Sequence, residues 1–246
     1  MFSIFTKKTH TKIDFSALRT DMHSHLLPGI DDGATDVQNS IELINGLEDL
    51  GFEKFITTPH ILQGMYNNDA STIDAASAIL RNELQLQGKE ISIHAAAEYY
   101  MDDYFDSITE QDLPLLTLKD KMVLVEFSFI APPVNYKELL FRLQISGHQP
   151  VLAHPERYQY LANNKKIFDE LKDSGCLFQL NILSLAGYYG RPAMDLARYL
   201  ISKNYVDLMG TDLHHVRHLH ALQNAPQVMS AISNLMNTGR ILNPLL

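Results

Sequence analysis

The sequence predicts an α/β protein built on a parallel sheet, either open or closed into a barrel. Short apolar segments alternate with helix-like segments along the chain, and no low-complexity tract or linker interrupts them. Such alternation is typical of parallel sheets. Seven β–α units follow one another without an obvious reversal, which favours a barrel related to the eightfold one. In such barrels the chemistry lies at the C-terminal ends of the strands.

The seven predicted strands are brief, apolar and bounded by Gly, Pro, Asn or Asp. They are Leu18–His25, Phe52–His60, Ile91–Glu98, Lys121–Phe129, Gln149–His154, Cys176–Asn181 and Val206–Asp212.

Helical patterns fill the gaps between these strands. The apolar spacing from Val37 to Leu47 predicts an amphipathic helix, and Thr35 with Gln38 predicts a capping box before it. Gly51 and Gly88 stand where helix C-caps are expected. The later helices are predicted over Asn135–Ser146, Lys165–Ser174, Arg191–Lys203 and from about Arg217 to Met236.

Composition narrows the function classes. The net charge of −9 argues against nucleic-acid binding, which needs a basic patch. The single cysteine, Cys176, excludes an internal disulfide and is typical of a reducing compartment. Since neither a signal-peptide pattern nor a long apolar run is present, we expect a cytoplasmic protein without stable membrane insertion. We expect one domain over residues 1–246, with residues 1–17 flexible or peripheral.

Metal-ligand residue types stand at the predicted strand ends. Six of the seven predicted strands carry a His, Glu or Asp at or near their C-terminal end, although the chain of 246 residues contains only 11 His and 29 Asp plus Glu. The candidate ligands are His23, His25, Asp32, His60, Glu98, Glu126, His154, Asp212 and His214. Nine ligands are too many for one ion and suit two or three.

Each candidate ligand also has an ordinary structural interpretation. Asp32 lies in a turn-forming Asp-Asp-Gly stretch, and a buried Glu98 or Glu126 could pair with an arginine. His23 and His25, two residues apart in a strand, point to the same face. Because unpaired buried acids and histidines are costly, the whole set at one end of a barrel favours a metal cluster.

Six motifs carry a family resemblance. The stretches HSHLLPGIDDGA, TTPH, AAEYY, LVEFS, LAHPERY and GTDLHH occur in this order. They closely resemble the PHP (polymerase and histidinol phosphatase) family, and within it the bacterial protein-tyrosine phosphatases of capsule and exopolysaccharide operons. The resemblance covers the chain from about Asp21 onward. It implies a distorted (β/α)7 TIM-like barrel and hydrolysis of phosphotyrosine by a metal-activated hydroxide.

The resemblance also implies a division of the ligands among three divalent ions, manganese first, with iron or zinc as alternatives. The first ion takes His23, His25, Glu98 and Asp212; the second takes Glu126 and His154 and shares Glu98; the third takes Asp32, His60 and His214. The implied substrate is a phosphotyrosyl protein, the tail of a tyrosine kinase that controls polysaccharide export.

The substrate side of the site is expected from residues near these ligands. Arg157 and Arg217 would clamp the phosphate. Asp212 and His60 are candidates for donating a proton to the leaving phenolate, alongside a metal-bound water. Tyr158 would contact the substrate ring. It belongs to a group of tyrosines that either wall the site or pack at the barrel rim: Tyr99, Tyr100, Tyr158, Tyr160, Tyr188 and Tyr189. Cys176 is expected in the core.

Three alternative functions remain at this point. A small-molecule phosphomonoesterase such as histidinol phosphatase would use the same chemistry. Amidohydrolase-type C–N hydrolysis would typically use a bridging lysine, whereas Glu98 and Glu126 occupy the candidate bridging positions here. A non-catalytic metal-binding protein would not need the complete ligand set. The sequence does not indicate an oligomeric state.

Overall fold

A computed structural model describes residues 13–246 of the chain. Its strands are β1 (Thr20–Asp21), β2 (Lys54–Thr57), β3 (His60–Ile61), β4 (Ser92–Ala95), β5 (Glu98–Tyr100), β6 (Met122–Glu126), β7 (Gln149–Ala153), β8 (Leu177–Asn181) and β9 (Leu208–Gly210). Its α-helices are α1 (Val37–Asp49), α2 (Ala70–Leu86), α3 (Asp103–Glu110), α4 (Tyr136–Ile145), α5 (Lys166–Asp173), α6 (Ile182–Leu185), α7 (Arg191–Ser202), α8 (Val216–Gln223) and α9 (Val228–Asn237).

These nine strand segments form seven passes of one parallel barrel. They are hydrogen-bonded in the orders β1-β2-β4 and β3-β5-β6-β7-β8-β9, and every pairing is parallel. Two residues separate β2 from β3, and two separate β4 from β5. Each of these pairs is therefore one interrupted pass, and the predicted seven-unit α/β architecture is confirmed.

The interruption between β2 and β3 is caused by Pro59. Proline has no N–H to donate to a neighbouring strand, so the ladder breaks between β2 and β3. The Pro59 carbonyl still accepts from the Glu98 N–H at 3.0 Å, and the Thr57 carbonyl accepts from the Ala96 N–H at 2.9 Å. The two interrupted passes thus stay in register, and His60 and Glu98 lie side by side.

The barrel closes where its first pass meets its last. Ser24 and Leu213 form a parallel bridge. The His25 N–H donates to the Leu213 carbonyl at 2.9 Å, and the Asp212 N–H donates to the His23 carbonyl at 2.7 Å. We call this contact, residues 21–25 against residues 211–213, the seam. It sets three ligand-type side chains next to one another.

Alternation along the strands separates two hydrophobic layers. Met22, Ile56, Leu124, Val151 and Leu208 come from five passes and pack together. Apolar neighbours of four of them, such as Phe55, Val123 and Leu152, belong to the larger cluster with the helices. Because successive strand residues face opposite sides, the smaller cluster fills the barrel interior. It thereby forms the floor beneath the ligand-bearing strand ends.

The structure corrects two local predictions around helices. The segment from Arg217 to Met236 is two helices rather than one, because Pro226 cannot donate to the ladder and Asn224 Nδ2 caps the His220 carbonyl at 2.7 Å. The N-cap of α1 is Asp36, whose carboxylate accepts from the Asn39 N–H at 2.9 Å. The predicted capping box of residues 35 and 38 was therefore wrong by one position.

The N-terminal segment differs in part from the expectation. Residues 1–12 of the segment predicted to be flexible or peripheral lie outside the described residues. Phe15, however, is fully buried and packs against Phe52 with 5.4 Å between ring centroids. Its N–H also donates to the Leu50 carbonyl at 2.7 Å, so the chain around Phe15 belongs to the core.

Helix length and polarity bear on the membrane expectation. Among residues 13–246, no helix combines the length and the apolar character needed to cross a bilayer.

Candidate metal centre and active site

Four ligand atoms meet beside the seam with nearly equal spacing. They are His23 Nε2, His25 Nε2, Glu98 Oε2 and Asp212 Oδ1. The two nitrogens lie 3.4 Å apart, and each lies 3.4–3.5 Å from both carboxylate oxygens. Two ligand atoms of one tetrahedral zinc ion, each about 2.1 Å from the metal, lie about 3.4 Å apart. The spacing thus fits four ligands of one divalent ion.

A second group adjoins the first through Glu98. His154 Nε2 lies 3.2 Å from Glu98 Oε1 and 3.4 Å from Glu126 Oε1. Glu98 therefore turns one oxygen toward His23 and His25 and the other toward His154. A carboxylate oriented in this way can bridge two cations.

The third group is the one nearest to solvent. His60 Nε2 and His214 Nε2 each lie 3.5 Å from Asp32 Oδ1. The side chain of Asp32 is 52% exposed, whereas those of the two histidines are 12% exposed. His60 Nδ1 also approaches Glu98 Oε2 at 3.1 Å. All nine predicted ligands thus lie in one continuous cluster, while their division among ions stays a prediction.

Buried polar atoms without hydrogen bonds test whether a metal fits. Within residues 13–246, neither carboxylate oxygen of Glu98 takes part in a hydrogen bond, although both are buried. Four histidine nitrogens nevertheless approach them at 3.1–3.5 Å. An unpaired buried carboxylate is costly, and bound divalent cations would satisfy it. The donor set, imidazole and carboxylate, suits zinc, manganese or iron.

The electrostatics of the two buried glutamates are opposite. Although burial opposes it, His23 and His60 hold the pKa of Glu98 well below its ordinary value. Burial, followed by the neighbouring Glu98 charge, raises the pKa of Glu126 well above its ordinary value. Two carboxylates this close cannot both stay ionised without added positive charge. Divalent cations would provide that charge.

Two of the ligands are in strained backbone conformations. His154 has φ 31° and Asp212 has φ 50°, in the left-handed region that residues other than glycine rarely adopt. Both stand immediately after the strands β7 and β9. Strain of this kind collects at functional sites because the surrounding structure compensates for it. Here the strained backbone conformation occurs at the two residues whose side chains turn from a strand end into the cluster.

Asp31 orients one of the ligands. Its Oδ2 lies 2.7 Å from His25 Nδ1 and also accepts from the His60 N–H at 3.2 Å, while its Oδ1 accepts from the Gly33 N–H at 2.9 Å. Although burial opposes it, His25 lowers the pKa of Asp31 to about 2. A carboxylate behind a metal-binding histidine fixes the ring and strengthens it as a ligand. The sequence left this residue without a role.

Gln179 supports two further ligands and was missed by the sequence analysis. Its Oε1 lies 3.0 Å from His23 Nδ1 and accepts from the His154 N–H at 3.0 Å. The sequence does contain a signal. Gln179 and Asn181 are two residues apart in an otherwise apolar strand, as His23 and His25 are, and this spacing places both on the inner face.

Arg157 lies at the mouth of the cluster, as expected. Its Nη1 donates to Asp212 Oδ2 at 2.6 Å. Its guanidinium lies between two aromatic rings, 4.8 Å from the centroid of Phe129 and 4.2 Å from that of Tyr189. Arg157 lines a cavity of about 360 Å³ together with ligands from all three groups. An anion entering this cavity would meet both the ligand cluster and Arg157.

Arg217 lies elsewhere. It is exposed at the start of α8 and lines a separate depression with Asp36, Gln38 and Glu42 of the α1 region. The loop after His214 is so short that α8 begins at residue 216, and this start directs Arg217 outward. The structure does not bring Arg217 into the cavity.

Tyr158 also lies outside the cavity. It is fully buried, and its hydroxyl donates to the Ala153 carbonyl at 3.0 Å and accepts from the Phe127 N–H at 2.9 Å. Its ring therefore packs behind the site and does not reach a substrate. Of the other predicted tyrosines, Tyr100 lines the cavity, and Tyr189 holds Arg157.

Cys176 is in the core, as expected. It is 1% exposed, and burial raises the pKa of its thiol to about 12. A thiol in this environment is not a nucleophile at neutral pH.

Comparisons with known proteins point to one family. The family described as "Capsular polysaccharide synthesis, CpsB/CapC" matches residues 19–238. The tyrosine-protein phosphatase YwqE of Bacillus subtilis is 33% identical over 201 residues, which cover 80% of this chain and 78% of that protein. The tyrosine-protein phosphatase CpsB of Streptococcus pneumoniae is 29% identical over 206 residues, with 80% and 83% covered.

A solved structure agrees as well. It comes from a study of YwqE from Bacillus subtilis and CpsB from Streptococcus pneumoniae, described as unique metal-dependent tyrosine phosphatases. It superposes with a TM-score of 0.75 at 27% sequence identity and covers 88% of this chain and 93% of its own. Because the family match spans nearly all of the described residues, this chain belongs to the CpsB/CapC family of PHP-type capsule-operon proteins.

Proposed function

We propose that this protein is a metal-dependent protein-tyrosine phosphatase. The observation that carries the proposal is the position of Glu98, whose two oxygens face separate groups of ligand atoms at the base of a cavity lined by Arg157. The similar proteins YwqE and CpsB are named tyrosine-protein phosphatases. The description of the family refers to capsular polysaccharide synthesis.

We assign the ligands to three ions as the resemblance implies. His23, His25, Glu98 and Asp212 hold the first, Glu98, Glu126 and His154 the second, and Asp32, His60 and His214 the third. Manganese is the first choice, with iron or zinc as alternatives. Bound divalent ions supply a water of lowered pKa and stabilise the charge on phosphate oxygens.

The chain itself contributes phosphate binding through Arg157. A guanidinium can bond two phosphate oxygens at once, and its plane is set by Phe129 and Tyr189. Asp212 and His60, the candidate proton donors, both belong to the ligand cluster. Although burial opposes it, His23 and His214 hold the pKa of Asp212 well below its ordinary value, so Asp212 is ionised and does not donate. A tyrosine phenolate, with a pKa near 10, needs little help to leave.

The physiological substrate in this proposal is a phosphotyrosyl tail of a kinase that controls polysaccharide export, met in the cytoplasm. The family description supports this link to polysaccharide synthesis, and the single cysteine agrees with a reducing compartment. The test is dephosphorylation of that kinase after autophosphorylation, compared with a phosphoserine protein. Equal rates on both would contradict the proposed substrate.

The activity is tested by turnover of a phosphotyrosyl peptide and of histidinol phosphate after metal removal and reconstitution with manganese, iron or zinc. We expect the peptide to react faster, and only with metal. H23A should lose both bound metal and turnover, whereas H220A, an exposed histidine on α8, should keep both. Faster turnover of histidinol phosphate, or full activity in the metal-free protein, would overturn the proposal.

A further inference from the structure

Two aromatic rings stand on the ligand histidines from opposite loops. Phe129, in the loop after β6, stacks on His154 with 5.7 Å between centroids and 17° between planes. Tyr66, in the loop after β3, stacks on His60 at 5.4 Å and 14°. Both rings line the same cavity. Neither residue is a metal-ligand candidate. Tyr66 also interacts with Asp32 through its hydroxyl, so the two aromatic rings themselves are the groups that the ligand cluster leaves without a role.

The backbone on the N-terminal side of Phe129 is fixed by hydrogen bonds, whereas its side chain is partly exposed. The neighbouring Ser128 carbonyl accepts from the Tyr160 hydroxyl at 3.0 Å, and the Phe127 N–H is bonded within the core. Phe129 is nevertheless 48% exposed. Arg157 and His154 thus contact part of the ring, and its exposed part remains available to a ligand in the cavity.

Tyr66 is fixed by a tight turn. Its N–H donates to the Leu62 carbonyl at 2.8 Å, and its carbonyl accepts from the Leu62 N–H at 3.0 Å. Asn68, two residues further along, is buried and donates to the carbonyls of Ile30 and His60 at 2.9 and 2.8 Å. The loop is therefore tied to the strand that carries the ligand His60, and the ring has a defined position beside it.

We propose that Phe129 and Tyr66 form a binding site for the aryl group of the substrate and so make the cavity select aryl phosphates over alkyl phosphates. The inference rests on the proposed phosphatase function. A phosphate bound at Arg157 and the ligand cluster would place its ester group among these two rings. Aromatic faces attract another ring through offset or edge contacts and through burial of apolar area. The alkyl group of an alkyl phosphate has no ring, so its binding gains much less from the two aromatic faces.

The test separates binding of the ring from binding of the phosphorus group. The metal-loaded protein is titrated calorimetrically with phenylphosphonate and methylphosphonate, which share the anionic group and are not hydrolysed. We expect the wild type to bind phenylphosphonate more tightly. In F129A and in Y66A the preference for phenylphosphonate should fall by about tenfold, while Y66F, which keeps the ring, should retain it.

V134A is the matched control, because Val134 is a fully exposed apolar residue in the same loop as Phe129 and does not line the cavity. It should keep the preference. An unchanged preference in F129A and Y66A, or an equal weakening of both phosphonates, would overturn the aryl site. Because binding is measured without turnover, this result is independent of the activity test. Absence of phosphotyrosyl-peptide turnover in the wild type would instead overturn the proposed function.

Discussion

Replacing Asp31 by Asn should weaken metal binding without removing a ligand. Asp31 Oδ2 lies 2.7 Å from His25 Nδ1, and its side chain is fully buried. The fall of the Asp31 pKa from 3.8 to about 2 corresponds to about 2.5 kcal/mol of preference for the carboxylate beside a positively charged ring. An Asn at this position keeps the shape and loses the charge.

A metal ion on His25 Nε2 polarises the ring in the same direction as a proton does, so the carboxylate stays preferred over a neutral amide when metal is bound. Removing a carboxylate behind a metal-binding histidine typically lowers metal affinity by about 10- to 100-fold, and we expect a loss in this range for D31N. The assay is competition for metal between the protein and a chromophoric chelator, with elemental analysis of the occupied protein. D36N is the control, since Asp36 is the nearest carboxylate along the loop that is not a ligand candidate, and Asn caps a helix equally well. Wild-type affinity in D31N would refute the orienting role.

Three further predictions concern other residues. R157K should lower kcat/KM by about 10²- to 10³-fold because lysine cannot bond two phosphate oxygens, and unchanged kinetics with full metal content would exclude a phosphate-binding role. Iodoacetamide should leave turnover intact, because Cys176 is buried and its pKa is raised to about 12; rapid inactivation would contradict this. Burial raises the pKa of Glu156 from 4.5 to about 7, so the folded state binds this proton more tightly and stability falls as the pH rises through that window. In metal-free protein, E156Q should remove up to about 3 kcal/mol of this fall between pH 4.5 and 8 in urea unfolding, and parallel pH profiles would show that Glu156 is not responsible.

The sequence could predict the cluster of ligand candidates because most of them stand at or just after the end of a strand. Strand ends are recognisable from apolar runs and the turn residues that follow, and parallel strands bring their C-terminal ends to one face. His60 and Glu98 illustrate this, since they sit side by side although 38 residues apart. The seven-unit barrel follows from the same alternation.

The direction of side chains outside regular structure could not be predicted in this way. Arg217 and Tyr158 both follow a ligand at short spacing, yet α8 turns Arg217 outward and a 3₁₀ turn returns Tyr158 to the core. Phe129 and Tyr66 lie on loops, where no periodicity indicates which way a ring faces. Gln179 was overlooked because a neutral amide in a strand resembles a packing residue.

The seam gives metal binding a second consequence. Thr211 donates to Asp21 through its N–H and its hydroxyl, at 2.9 and 2.7 Å, across 190 residues of chain. His23, His25 and Asp212 follow this pair along the two segments of the seam, so an ion bound to them would link the first strand to the last. Loading and barrel closure would then be thermodynamically linked, because an ion that binds only the closed form stabilises it by mass action. Slower hydrogen exchange at the amides of His25 and Asp212 on metal addition would report that closure directly.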